Sequence, residues 1–195
     1  MRDSTAPAAP QTVPADVDVL VGLIAASADR PVVLLDGRSG SGKTTLALAL
    51  VAAYPGVVSL IRLDDIYPGW DGLRAASDHL RDNVLGPLAD GREPRWQRWD
   101  WVTDAPAEWH SIDPGRPVLI EGCGALSRSN RALAGFALWV ELDAQERKRR
   151  ALARDGDAYR PFWDRWAAQE RGFIAREHPQ SLANLIVDGR TVVGA

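Results

Sequence analysis

The chain has 195 residues, 46% of them hydrophobic and 25% charged, with a formal net charge of −3. That length suits one α/β domain with a substantial core and is short for two of ordinary size. The slight negative charge, the single cysteine (Cys123) and the lack of any apolar run near the roughly 18 residues that span a membrane speak against nucleic-acid-binding, disulfide-framework and membrane classes, and point to the cytoplasm.

Met1 to Pro14 is rich in Ala, Pro, Ser and Thr and has no apolar h-region, so it reads as a disordered lead-in to a single domain over residues 15–195. Val17 to Ala28 carries apolar residues at helical spacing, with Asp16 as its cap and Pro31 as its stop. Val32 to Leu35 is a short continuous apolar run, the pattern of a buried parallel strand. After a glycine-rich turn, Thr44 to Ala53 reads as a helix that ends before Pro55. Further strands are expected at Val57 to Leu63, Pro117 to Ile120, Phe136 to Leu142 and Leu185 to Val187, with an Arg-rich helix from Ala144 to about Arg154 inside a lid over residues 144–160. Apolar strands alternating with helices predict a three-layer α/β fold, about five parallel strands with helices on both faces. Residues 65–116 have weaker periodicity and hold five of the eight tryptophans, and so read as an insertion over the strand ends.

Gly37-Arg38-Ser39-Gly40-Ser41-Gly42-Lys43-Thr44 matches the phosphate-loop pattern G-x-x-x-x-G-K-[ST] in full, between a predicted strand and a predicted helix. Glycines at Gly37, Gly40 and Gly42 let backbone N–H groups turn toward phosphate oxygens, and the helix start adds its positive dipole end. Ser39, Ser41 and Thr45 complete the expected nucleotide cradle, Lys43 the charge for the β- and γ-phosphates, and Thr44 a hydroxyl ligand for Mg²⁺. Lys43 is one of only two lysines among 23 basic residues. No guanine-reading Asn-Lys-x-Asp and no ABC signature occur, which favours ATP and a small-molecule kinase over a switch GTPase or a transporter ATPase.

Such a kinase needs an acid at the acceptor hydroxyl, an acid on the Mg²⁺ side, and cations for the moving phosphoryl group. Asp64, after the second strand, is the expected base, with Asp65 as the alternative; acids there also serve to cap turns. Glu121 closes an apolar strand where a Mg²⁺ shell would lie. Arg147, Arg150 and Arg154 are spaced i, i+3, i+7 and share a helix face that could close over phosphates, although Arg-rich helices are commonly just solvated. Trp96, Trp99, Trp101 and Trp109 crowd around Asp100, either to stack a substrate or to fill a core. Trp163 and Trp166 read as helix packing, Cys123 as a core residue, and His79, His110 and His178 as scattered surface residues.

With these residues in view, the chain resembles the uridine kinase-like branch of the P-loop nucleoside and small-molecule kinases, from about Val32 to Gly189. Asp64-Asp65-Ile66-Tyr67 looks like that family's Asp-x-Phe-Tyr motif, whose first Asp is the catalytic base. Trp99-Asp100-Trp101 is similar to its Tyr-Asp-Phe segment near the nucleoside, and Glu121-Gly122 to its strand-end Glu-Gly. Val140 to Asp155 aligns with its lid entry. The resemblance implies ATP and Mg²⁺ as cofactors, Arg150 and Arg154 beside Asp64 and Lys43 in catalysis, and Arg147 on the nucleotide. It also implies Tyr67, Asp71, Trp99, Asp100 and Trp101 near the acceptor, with Asp71 on ribose hydroxyls. Ile66 stands where the motif has an aromatic, and Val102-Thr103-Asp104 lacks the histidine that helps read a pyrimidine. The expected partner is therefore a small hydroxylated molecule, first a nucleoside, then a sugar or vitamin precursor; a homo-oligomer and a purely regulatory ATP-binding protein stay open.

Overall fold

The computed structural model of the chain describes residues 10–192. In chain order the elements are β1 (Gln11–Val13), α1 (Val17–Ser27), β2 (Val32–Gly37), α2 (Lys43–Ala53), β3 (Ser59–Arg62), α3 (Leu73–Leu80) and α4 (Gly86–Ala89). Then follow β4 (Arg95–Asp100), β5 (Ala105–Ser111), β6 (Val118–Glu121), α5 (Arg128–Arg131), β7 (Phe136–Glu141), α6 (Ala144–Tyr159), α7 (Trp163–Glu177), α8 (Pro179–Leu182) and β8 (Leu185–Asp188).

Six strands form one parallel sheet in the order β1-β8-β7-β2-β6-β3. Neighbouring side chains on its strands point to opposite faces, and each face has its own core. Val33 and Leu35 pack with Leu20 and Ile24 of α1 and Leu46 and Leu50 of α2. Leu34 between them packs on the other side with Ile120, Trp139 and the buried faces of α3 and α7. Both faces are therefore covered by helices, which explains why the central strands are apolar without alternation. The architecture is a three-layer α/β sandwich, as the strand and helix pattern predicted.

The sheet has one strand more than expected. Gln11 to Val13 pair in parallel with Leu185 to Val187, so the part of the N-terminal segment that falls within 10–14 includes an edge strand where a disordered lead-in was expected. Three residues are too short for any periodicity to show; backbone pairing and the packing of Val13 on the α1–α2 side hold them. The rest of the expected lead-in, residues 1–9, lies outside the described residues. Asp16 caps α1 as predicted, its carboxylate accepting from the Val19 N–H at 3.1 Å. The insertion over 65–116 holds α3, α4 and an antiparallel β4–β5 hairpin, which forms a separate two-stranded sheet. Among the described residues, no helix is long and apolar enough to cross a membrane.

Candidate functional site

β2 sits in the middle of the sheet, so its C-terminal end opens between β6 and β7, the position where α/β sheets hold ligands. Gly37 ends the strand at φ +152°, and a Cβ there would come within 2.6 Å of the Val140 carbonyl oxygen. Gly40 and Gly42 have φ of +80° and +104°, a region that side chains disfavour. The Ser41 N–H closes a tight turn onto the Arg38 carbonyl at 3.1 Å. Among the described residues, the N–H groups of Gly40, Gly42, Lys43 and Thr44 donate to no protein acceptor. Open donors at the start of α2, on a loop shaped by positive-φ glycines, make a cradle suited to phosphate.

A cavity of about 430 Å³ lies over this loop. Ser39, Gly40, Lys43 and Thr44 form its floor. Ser41 is fully buried, and neither it nor Thr45 lines the cavity. Lys43 is buried, its ammonium donating to the Arg38 carbonyl at 3.3 Å and to Cys123 Sγ at 3.6 Å. Burial works against that charge, but the Cys123 sulfur that accepts from it and the carboxylates of Glu121, Asp64 and Asp36 outweigh it and raise the lysine above its ordinary value. The Thr44 hydroxyl donates to Glu121 Oε1 at 3.1 Å. Burial pushes the Glu121 carboxyl up, opposed by Lys43. Among the described residues no cluster of three or more His, Cys, Asp or Glu could hold a metal by itself. Thr44 and Glu121 are hard oxygen donors of the kind Mg²⁺ takes when water and phosphate complete its shell.

The side of the cavity expected to take an acceptor is built from scattered residues. Asp64 lies in a 3₁₀ turn (Leu63–Asp65) that follows β3, with its carboxylate exposed on the cavity wall. Its backbone carbonyl accepts from the Trp101 indole N–H at 2.9 Å, which ties the hairpin tip to this turn. Asp65 is absent from the cavity lining, and burial raises its pKa. Tyr67 lines the cavity with its ring edge-on to Trp166, 4.7 Å away, while its hydroxyl donates to the Cys123 carbonyl at 2.8 Å. Trp70 completes the wall, stacked on Phe162 at 4.4 Å and tilted against Trp101 at 5.2 Å.

Other expected residues lie elsewhere. Asp71 faces solvent and pairs with Arg165 of α7, away from the cavity. Asp100 caps its own turn, accepting from the Val102 N–H at 2.9 Å and the Thr103 N–H at 3.2 Å. Trp99 is absent from the lining, and its indole N–H is buried without a partner among the described residues. Of the expected Trp-Asp-Trp trio, only Trp101 reaches the cavity. The expected arginine face of α6 also divides. Arg147 is buried and donates to the Ser39 carbonyl at 3.2 Å, gripping the loop from behind. Arg150 donates to Glu146 at 2.8 Å and to the Gly189 carbonyl at 3.0 Å and does not line the cavity. Arg154 does line it, held by Asp155 at 2.7 Å.

Several site residues had no motif to announce them. Arg62 enters the cavity from the end of β3, with Nε 3.8 Å from Glu121 Oε1. Tyr159 and Trp166 line the far wall. Asp36 is buried inside β2 and accepts from the N–H groups of Gly37, Gly124 and Leu126 at 2.6–3.2 Å. Burial pushes its carboxyl up to about 6 in spite of those donors. Glu170 of α7 is equally deep and bonds to Arg38 and Ser39. Cys123, expected in the core, is buried but touches Lys43; burial pushes its thiol up to about 12, so it stays protonated. His79 is half-buried rather than on the surface, its ring accepting from the Gln97 N–H at 3.2 Å.

The sequence matches no protein-family model and no curated protein. Solved structures do match. A possible uridine kinase from Bacillus stearothermophilus superposes with a TM-score of 0.66 at 20% identity, over 88% of this chain and 97% of that one. The fold is that of the P-loop kinases. A second P-loop kinase-like structure, assigned as a fructose transport system kinase from Silicibacter sp. TM1040, superposes with a TM-score of 0.53, again at 20% identity, over 90% of this chain and 93% of that one. Both superpositions cover most of the chain, and at that identity the likeness is one of fold alone.

Proposed function

We propose that this chain is a kinase that moves the γ-phosphoryl group of Mg·ATP to a hydroxyl of a small molecule, a nucleoside first among the candidates. The observation that carries the reading is convergence: Lys43, Thr44 with Glu121, and the free carboxylate of Asp64 face one cavity from three different strand ends. When bound, ATP would supply the phosphoryl group, and Mg²⁺ would spread charge over its oxygens. The open N–H groups of the loop and Lys43 hold the phosphates in register, and Thr44 and Glu121 orient the metal side. Asp64 accepts the proton of the acceptor hydroxyl as its oxygen attacks. Arg62 and Arg154 add positive charge at the cavity wall, where charge on the transferring group is greatest. Tyr67, Trp70, Trp101 and Trp166 exclude water and offer a ring a surface to stack on.

Aromatic walls also suit a sugar or a vitamin precursor, so the acceptor is settled by trial. A panel of nucleosides, sugars and pantothenate-like alcohols, each added to protein with Mg·ATP, is expected to contain at least one compound that stimulates ADP release. Tight ATP binding with no stimulation by any member would identify a nucleotide-binding regulator instead.

A further inference from the structure

One deeply buried charged group beside the loop is left unused by the proposed chemistry. Glu170, on the buried face of α7, is 2% exposed and is absent from the cavity lining. A carboxylate that deep is costly unless its oxygens are satisfied. Oε1 accepts from the Ser39 N–H at 2.7 Å and Oε2 from Arg38 Nε at 2.9 Å. The Cys123 thiol lies 3.5 Å from Oε1. Both main partners are consecutive residues of the phosphate loop.

Ser39 is held from two other directions. Its carbonyl accepts from Arg147 at 3.2 Å and its hydroxyl from Tyr159 at 3.0 Å, so both ends of α6 grip the same residue. Glu170 decides where the Ser39 N–H points. With that donor turned onto α7, the following glycines carry the chain over so that the donors of Gly40, Gly42, Lys43 and Thr44 are left without protein acceptors. An ion pair with one member buried and the other only partly exposed can often be replaced by apolar side chains at little cost in stability, so the fold alone does not explain its presence.

We propose that Glu170 is a positioning residue for the nucleotide: it fixes the Arg38–Ser39 peptide against α7 and thereby presets the phosphate-binding donors. This rests on the loop binding a nucleoside triphosphate, as proposed above. It makes α7, which begins just past the arginine helix, part of the phosphate site without touching the ligand.

The test compares Mg·ATP affinity, by titration calorimetry, and melting temperature across three forms. Glu170→Gln keeps the shape but sets an amide N–H against Arg38, and should weaken Mg·ATP at least about tenfold, the loss of one charge-assisted hydrogen bond. Arg38→Leu with Glu170→Leu removes the pair together with the Ser39 acceptor, and should still fold, with a modestly lowered melting temperature, while binding Mg·ATP equally weakly. Arg38→Met with Glu170→Gln removes the clash, keeps an acceptor for the Ser39 N–H, and should recover most of the affinity. Wild-type affinity in the double-leucine form overturns the proposal and leaves the kinase reading standing. So does failure of the Met/Gln pair to recover affinity while folded. Wild-type protein that binds no Mg·ATP overturns both readings together.

Discussion

The two ends of the cavity are made in different ways. The phosphate end comes from eight consecutive residues and one neighbouring strand end: the glycine loop, Lys43, Thr44 and Glu121. Most of its donors are backbone N–H groups, carried between β2 and α2 and backed by Glu170 of α7. The acceptor end comes from single side chains of different elements, from Arg62 at the end of β3 and Asp64 just after it to Trp101 beyond β4 and Trp166 on α7. The first is a property of a loop and a sheet. The second is a property of side chains that meet only after folding, so it can change its substrate without disturbing the first.

Asp64→Asn is the strongest way to break that separation. Removing a general base typically costs 10²–10⁴ in rate, so kcat should fall roughly a thousandfold. Asp64 supplies no donor to the phosphate loop, and Mg·ATP affinity should stay within about twofold. Single-turnover phosphate transfer and nucleotide titration, measured on one preparation, give both numbers. A large parallel loss of ATP affinity would mean that the two ends are one unit.

A weaker effect sharpens the acceptor end alone. Trp101 is 41% exposed, stands against Trp70, and anchors the Asp64 carbonyl through its indole N–H. Trp101→Ala loses an aromatic surface and a hydrogen bond, each worth about 1 kcal/mol, and should raise the acceptor KM about tenfold or more. Trp109 is on the same hairpin and similarly exposed, but lies under the Arg95 guanidinium and outside the cavity. Trp109→Ala should leave the acceptor KM unchanged. Equal losses in the two variants would show that the hairpin matters only as a packed unit.

The same contrast explains what could be read without a structure. The central strands and the loop were legible because a strand buried on both faces must be apolar throughout, and because positive-φ turns demand glycine at fixed spacing. The β4–β5 hairpin was not, since Arg95 to Asp100 and Ala105 to Ser111 are half-exposed on both faces and a register shift falls between Gln97 and Trp99. Asp36 and Glu170 were hidden for another reason. The partners of Asp36 are backbone N–H groups, which carry no residue identity, and those of Glu170 are the Ser39 N–H and side chains more than 40 residues away in sequence. The available hint was an acid where the pattern calls for an apolar residue: Asp36 closing an apolar strand, and Glu170 in the buried stripe Trp163, Trp166, Ala167, Glu170, Phe173. A buried acid at such a place has to find donors, and next to a phosphate loop the nearest donors belong to the loop.

The arginines of α6 test how far a shared helix face implies a shared task. Residues 147, 150 and 154 do fall on one face, but a helix rises 1.5 Å per residue, so about 10 Å separates the first from the last. That height sorts them: Arg147 to the loop carbonyl at the base, Arg150 to the Gly189 carbonyl above it, and Arg154 to the cavity. Arg154 is more than half exposed and already paired with Asp155, so its contribution is screened, and Arg154→Met should lower kcat/KM only about fivefold, near 1 kcal/mol. Arg150→Met should leave kcat/KM within about twofold and cost no more than about 1 kcal/mol of stability, because its partners are a half-exposed glutamate and one carbonyl. Steady-state kinetics on the two variants side by side decide the matter. If Arg150→Met costs as much activity as Arg154→Met, the face acts as a unit on the phosphates, and the position of Arg150 on Gly189 is not the one that the proposed reaction uses.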